Sequence, residues 1–349
     1  MTMQSVDSEA KRELHMTIQS NEPEAGPVQT EVLLAKDLRK SYGMRPALRG
    51  LSFSLKAGRV LGFLGPNGAG KTTSIRILTT ILEPTSGHFS VAGIHSDEPE
   101  KIRQKIGVLP ENLGFPKNIT GLEYLTFFGQ LYGLSAAGAK AKGTELLEEV
   151  GLVQRGRSLI GTYSHGMRQR LGIARALVND PVVVFLDEPT LGLDPRGQQE
   201  LLGLVKWIAQ EQNVGVILCS HLLTEIESVC DDVVILSTGQ VVAKGTVAEV
   251  IGQTQRNVIR IRVPSPSVEA ARRVLENVPG VLSASSADGT GWVRLEVPDP
   301  AHSASTEENY VNNRILEALI GAEIPVLGFE AAGGRLQDVF LKITEQVIQ

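Results

Sequence analysis

"RVLGFLGPNGAGKTTSIRILTTIL", residues 59–82, decides how the rest of the chain is read. It opens on an apolar run of strand length, passes through a glycine-rich turn and continues with apolar residues at helical spacing. Its centre, residues 65–73, reads GPNGAGKTT, a full match to G-x-x-x-x-G-K-[ST] in the strand–loop–helix setting that this pattern requires. Gly65, Gly68 and Gly70 let the backbone turn tightly and aim successive N–H groups inward, with Pro66, Asn67 and Ala69 between them. Those amides and the positive end of the following helix form a cradle for phosphates. Lys71 reaches β- and γ-phosphates, the Thr72 hydroxyl ends the motif as a ligand for Mg²⁺, and Thr73 follows it in the first turn of the helix, counted with the ATP-binding residues.

A second apolar run, "VVVFLDEP" at residues 182–189, ends on two carboxylates. Read alone, Asp187 and Glu188 suit a strand end followed by a helix cap. Downstream of a phosphate loop they take on chemistry: Asp187 holds Mg²⁺ through water and Glu188 polarises the attacking water. Between and around these runs, "VLLAKDLRKSYG" (32–43) and "ALRGLSFSLKAG" (47–58) read as strands with turn glycines at Gly43 and Gly58, and "VGVILCS" (214–220) as another. Strands alternating with helices predict a mainly parallel sheet covered on both faces.

Composition sets outer bounds. The 349 residues are 42% hydrophobic and 21% charged, with a net charge of −5, so no global basic field draws nucleic acid and none is expected as a partner. No apolar run approaches the ~20 residues of a membrane helix. Cys219 and Cys230 are the only cysteines, which fits a reducing compartment and argues against a disulfide framework. Residues 1–30 are polar and read as a disordered tail.

Taken together, residues 31–253 resemble the nucleotide-binding domain of an ATP-binding-cassette (ABC) protein. The resemblance implies an α/β P-loop NTPase fold: a RecA-like parallel core, an antiparallel β subdomain and a helical subdomain. It also implies further site residues. Tyr42 in "KSYG" stands where that family stacks an aromatic ring on adenine. "YSHGM", residues 163–167, occupies the place of the family signature usually written L-S-G-G-Q. Ser164 and Gly166 would there bind the γ-phosphate held by a second copy, with Arg168 nearby. His165 replaces the first glycine and Met167 the glutamine; Tyr163 is left without a role. Asp194 in "LGLD" fits the dimer-contact loop, and His221 the switch histidine that meets the γ-phosphate. Glu111 stands where the family usually has a glutamine that contacts Mg²⁺ and the lytic water.

The form of the signature resembles the branch whose partners are separate ABC-2 type permeases. Residues 114–134 concentrate Phe115, Tyr124, Phe127, Phe128 and Tyr132. By resemblance this stretch receives the permease; read only as residues, it equally builds the subdomain core. Residues 254–349 follow the order β-α-β-β-α-β plus a closing helix, a small α+β split-βαβ domain similar to the accessory domain of drug- and sodium-efflux ATPases. "DPAHSASTEE" (299–308) reads as a loop. The expected function is an ATP-hydrolysing subunit, homodimeric around two ATP with Mg²⁺. It would drive an exporter from the cytoplasmic face of the membrane without a transmembrane segment of its own. The alternative is a soluble ABC ATPase acting on ribosomes or other cytosolic assemblies.

Overall fold

A computed structural model describes residues 30–111, 114–220, 222–252, 257–286, 291–297, 311–332, 336–337 and 339–340. The N-terminal tail, the 299–308 stretch and His221 therefore lie outside the described residues. β1 (Glu31–Tyr42) and β2 (Arg45–Lys56) form a hairpin turning at Gly43. With β4 (Ser86–Val91) and β5 (Ile94–His95) they make an antiparallel sheet in the order β2-β1-β4-β5. A second, six-stranded sheet runs β10-β9-β3-β8-β7-β6. Its strands are β3 (Val60–Leu64), β6 (Ile106–Leu109), β7 (Val183–Asp187), β8 (Gly215–Cys219), β9 (Asp232–Ser237) and β10 (Gln240–Thr246). All neighbours in it are parallel except β10, which returns antiparallel along β9.

The apolar runs are continuous because both faces of this sheet are buried. Along β3, Val60 and Leu64 enter one core while Leu61 and Phe63 enter another; along β7, Val184 and Leu186 part from Val183 and Phe185 in the same way. The second core is closed by the antiparallel sheet and α1 (Lys71–Leu78), through Leu33, Phe53, Phe89 and Ile77. The first is closed by α3 (Gly121–Leu131), α4 (Ala136–Glu149), α5 (His165–Leu177) and α6 (Pro195–Glu211). The short α2 (Pro99–Arg103) precedes β6.

Helix α5 lies very close to the sheet edge. A Cβ on Gly107 of β6 would stand 2.0 Å from the Ala176 carbonyl oxygen, so only glycine lets helix and strand meet there. Arg175 completes the join: it donates to the Val108 carbonyl at 2.9 Å and to the Tyr124 hydroxyl at 3.3 Å, with its guanidinium over the Phe128 ring. α3 is fastened by a capping box, Thr120 with Glu123. Phe128 packs against the first core while its neighbour Phe127 is exposed, as adjacent residues on one helix require.

After α7 (Leu223–Val229) and α8 (Val247–Gly252) comes a third, all-antiparallel sheet, β12-β13-β11-β14. It comprises β11 (Asn257–Arg262), β12 (Ser283–Ser286), β13 (Trp292–Val297) and β14 (Gly328–Ala332). α9 (Val268–Glu276) and α10 (Val311–Gly321) supply Leu275, Ile315 and Leu319 to a core of its own. The order β-α-β-β-α-β matches the sequence pattern; of the "DGTG" turn between β12 and β13, residues 288–290 lie outside the described residues. Leu336 and Val339 are buried in the first core, with the α3–α6 layer, and not beneath the third sheet.

Candidate nucleotide site

Parallel strands deliver their carboxyl ends to one edge of the sheet, where ligands of open α/β folds gather. Here the register is explicit. Phe63 of β3, Cys219 of β8 and Asp187 of β7 are consecutive cross-strand partners. The loop after β3, the carboxylates after β7 and the segment after β8 thus leave the sheet side by side.

The phosphate loop is shaped by its glycines. Gly65, with φ 155°, would place a Cβ 2.4 Å from the Leu236 carbonyl; Gly70, with φ 108°, would place one 2.9 Å from the Ala47 carbonyl. The loop is wedged between β2 and the β9–β10 turn and pinned by Gly239, whose amide donates to Ala69 at 3.0 Å. Ala69 itself donates to Pro66 at 3.1 Å. No side chain caps α1 at Gly70, which leaves its first-turn amides directed at the loop mouth. The Lys71 ammonium reaches back to the Gly65 and Pro66 carbonyls at 2.6 and 3.3 Å, across that mouth. Thr72 is exposed on the first turn of α1. Tyr42, at the end of β1, is 51% exposed with the Lys40 ammonium 5.8 Å from its ring centre, so a ring face is open to stacking.

Burial raises the Asp187 carboxyl above the ordinary aspartate range, and the charges of Glu111 and Glu188 push the same way; Lys71 and Arg76 oppose them. All three carboxylates and Lys71 therefore share one electrostatic neighbourhood. Glu188 has φ 49°, a left-handed conformation rare outside glycine and costing of order 1–3 kcal/mol. Its amide donates to the Cys219 carbonyl at 2.9 Å and its carbonyl accepts from Leu191 at 3.2 Å, so a strained turn presents its side chain.

The signature segment forms the start of α5. Ser164 is the N-cap, its Oγ accepting from the Met167 amide at 3.2 Å; the hydroxyl proton remains a donor. Tyr163 is buried and donates to the Arg155 carbonyl at 2.7 Å, which is packing. One guanidinium nitrogen of Arg168 donates to the Tyr163 carbonyl of its own chain, and the side chain borders the cleft shared with Glu111 and His165. His165 donates from Nε2 to the Leu191 carbonyl at 2.8 Å, and Met167 packs on the first core. Asp194 is the N-cap of α6 without a side-chain capping bond. Sequence reading missed Ser220 and Glu225. Ser220 Oγ donates to Glu225 Oε2 at 2.6 Å and accepts from the Leu222 amide at 3.0 Å, bracing the chain on either side of residue 221. The one available signal was a serine at the end of an apolar strand with an acid five positions on.

Glu111 adds a negative charge beside Asp187, yet it borders the same cleft as His165 and Gln169, open to solvent. Screening there keeps the cost small, so Glu111→Gln should change steady-state ATPase turnover by less than about tenfold in either direction. A larger rise would mean that the carboxylate suppresses hydrolysis.

Comparison with known proteins places the chain in a family. A family model described as ABC transporter matches residues 48–191. The linearmycin resistance ATP-binding protein LnrL of Bacillus subtilis is 33% identical over 91% of this chain and 100% of its own length. The daunorubicin/doxorubicin resistance ATP-binding protein DrrA of Streptomyces peucetius is 34% identical over 90% and 93%. Among solved structures, an ATP-binding subunit of an ABC transporter is 34% identical with a TM-score of 0.57, covering 64% of this chain and 92% of that one. A dimeric ATP-binding cassette in a post-hydrolysis state with ADP and Pi is 25% identical with a TM-score of 0.56, covering 61% and 98%. The phosphate loop, the acidic strand end and the full-length relatives agree: this chain belongs to the ABC transporter family, as one of its ATP-binding, ATP-hydrolysing subunits.

Proposed function

We propose that this chain powers an exporter through separate ABC-2 type permease subunits at the cytoplasmic face of the membrane. One observation carries the reading. Two resistance ATP-binding proteins match some nine-tenths of this chain, the residues after 253 included, whereas other resistance and transport ATP-binding proteins and the solved cassettes cover about three-fifths. That shared extension supports 254–349 as an accessory domain of resistance-type ATPases and disfavours a soluble ribosome-acting enzyme. Among the described residues no helix is long and apolar enough to cross a membrane. Exposed Phe127, Leu131 and Tyr132 on and just after α3 supply an apolar surface for it.

In this reading two copies close head to tail. The Gly65–Thr73 loop holds the triphosphate, Tyr42 stacks on adenine, and Ser164 and the Gly166 amide of the second copy complete the γ-phosphate shell. Asp194 lies at the contact, and His221 would face the γ-phosphate. The donors fit Mg²⁺: oxygen ligands from Thr72, Asp187 and Glu111, with carboxyls whose mutual repulsion a cation relieves. When bound, Mg²⁺ would neutralise charge on the β- and γ-oxygens. Glu188 orients and deprotonates the attacking water. Detergent extraction of membranes followed by capture of the tagged chain should recover a multi-span permease; ribosome co-sedimentation with no membrane protein would overturn the export reading.

A further inference from the structure

The geometry points to His165 as a positioning residue that ties the signature helix to the catalytic turn of its own subunit. The observations form a short continuous path. Glu188 sits in a strained turn whose carbonyl accepts from Leu191 at 3.2 Å. The Leu191 carbonyl accepts from His165 Nε2 at 2.8 Å. A carbonyl only accepts, so Nε2 carries the proton. His165 is the first residue of α5, directly after the Ser164 cap. The same loop runs close to the helix at two more places: a Cβ added to Gly192, with φ 78°, would lie 3.4 Å from His165 Nε2, and one added to Gly166 would lie 3.5 Å from Leu193 Cδ2.

This inference rests on the head-to-tail reading above. In that arrangement Ser164 and Gly166 meet the ATP of the second copy, while Glu188 meets the ATP of its own. A side chain bridging the two within one subunit makes the readiness of one site depend on occupancy of the other. A glycine at 165 would lack this donor, so the bridge is a property of this sequence.

The test uses the full-length chain and ATP kinetics of His165→Ala and His165→Gln, with Ser164→Arg alongside. Glutamine carries an N–H the same number of bonds from Cα and can remake the contact. We expect His165→Ala to lower kcat about five- to tenfold, the scale of one lost hydrogen bond, and to bring the Hill coefficient towards about 1. KM should stay within about twofold, because the loop that holds ATP is untouched. His165→Gln should restore most of kcat and the cooperativity. If alanine and glutamine variants behave alike, or alanine retains wild-type kcat and Hill coefficient while Ser164→Arg is inactive, the bridge has no role. If Ser164→Arg remains active, the composite-site reading falls and the bridge with it.

Discussion

Glu188→Gln should reduce ATP turnover by about 10²–10⁴-fold, the usual contribution of a positioned general base. The substitution keeps size and removes only the ability to accept a proton. The left-handed turn at residue 188 is held by backbone bonds to Cys219 and Leu191, so the amide side chain should occupy the same place. The phosphate loop, pinned separately by Gly239 and Lys71, should still bind ATP. Two copies would then close and fail to reopen, giving a dimer on gel filtration in ATP and Mg²⁺ that the wild-type chain shows only transiently. A near-normal rate, or a monomer at saturating ATP, would remove Glu188 from the base role.

The second large effect tests whether the pocket is shared. Lys71→Ala takes the cation from the β- and γ-phosphates. Ser164→Arg fills the N-terminus of α5 with a long side chain and removes its hydroxyl. Each variant alone should be inactive, because every pocket in its homodimer carries the defect. A mixture forms heterodimers in which the intact loop of one chain faces the intact signature of the other. For independent pockets and random pairing in a two-fold dimer, an equimolar mixture should recover up to about one quarter of wild-type turnover. Coupling between the pockets would lower that fraction, so retention of ATP by the mixed dimer is measured beside turnover; a mixture that neither cleaves nor retains ATP at the repaired pocket would mean that no pocket is built from two chains.

Much of the site was legible in the residues because its chemistry is local. The GPNGAGKTT loop needs glycines at set positions to turn and approach phosphate, and an apolar run ending in Asp187 and Glu188 marks the end of a buried strand. Tyr163 and Arg168 were less legible. Their residue types suit a ligand as well as a scaffold, and only packing turned one into the core and the other onto its own backbone. For Ser220 and Glu225 the signal was weak, a serine at the end of an apolar strand with an acid five positions on, a pattern shared with ordinary helix starts. Leu336 and Val339 read as part of a tail domain, but their partners lie far away in sequence.

By itself the sequence determined the alternation of strands and helices, the phosphate cradle and the family, since these follow from periodicity and from backbone freedom within a few residues. The tertiary structure alone decided which side chains converge. Pairing of β3, β8 and β7 set Asp187 beside the loop, the close approach at Gly107 seated α5 on the sheet, and that seating carried His165 to the Leu191 carbonyl. Such contacts join residues distant along the chain, and their geometry is fixed by packing of whole elements, which no local pattern encodes.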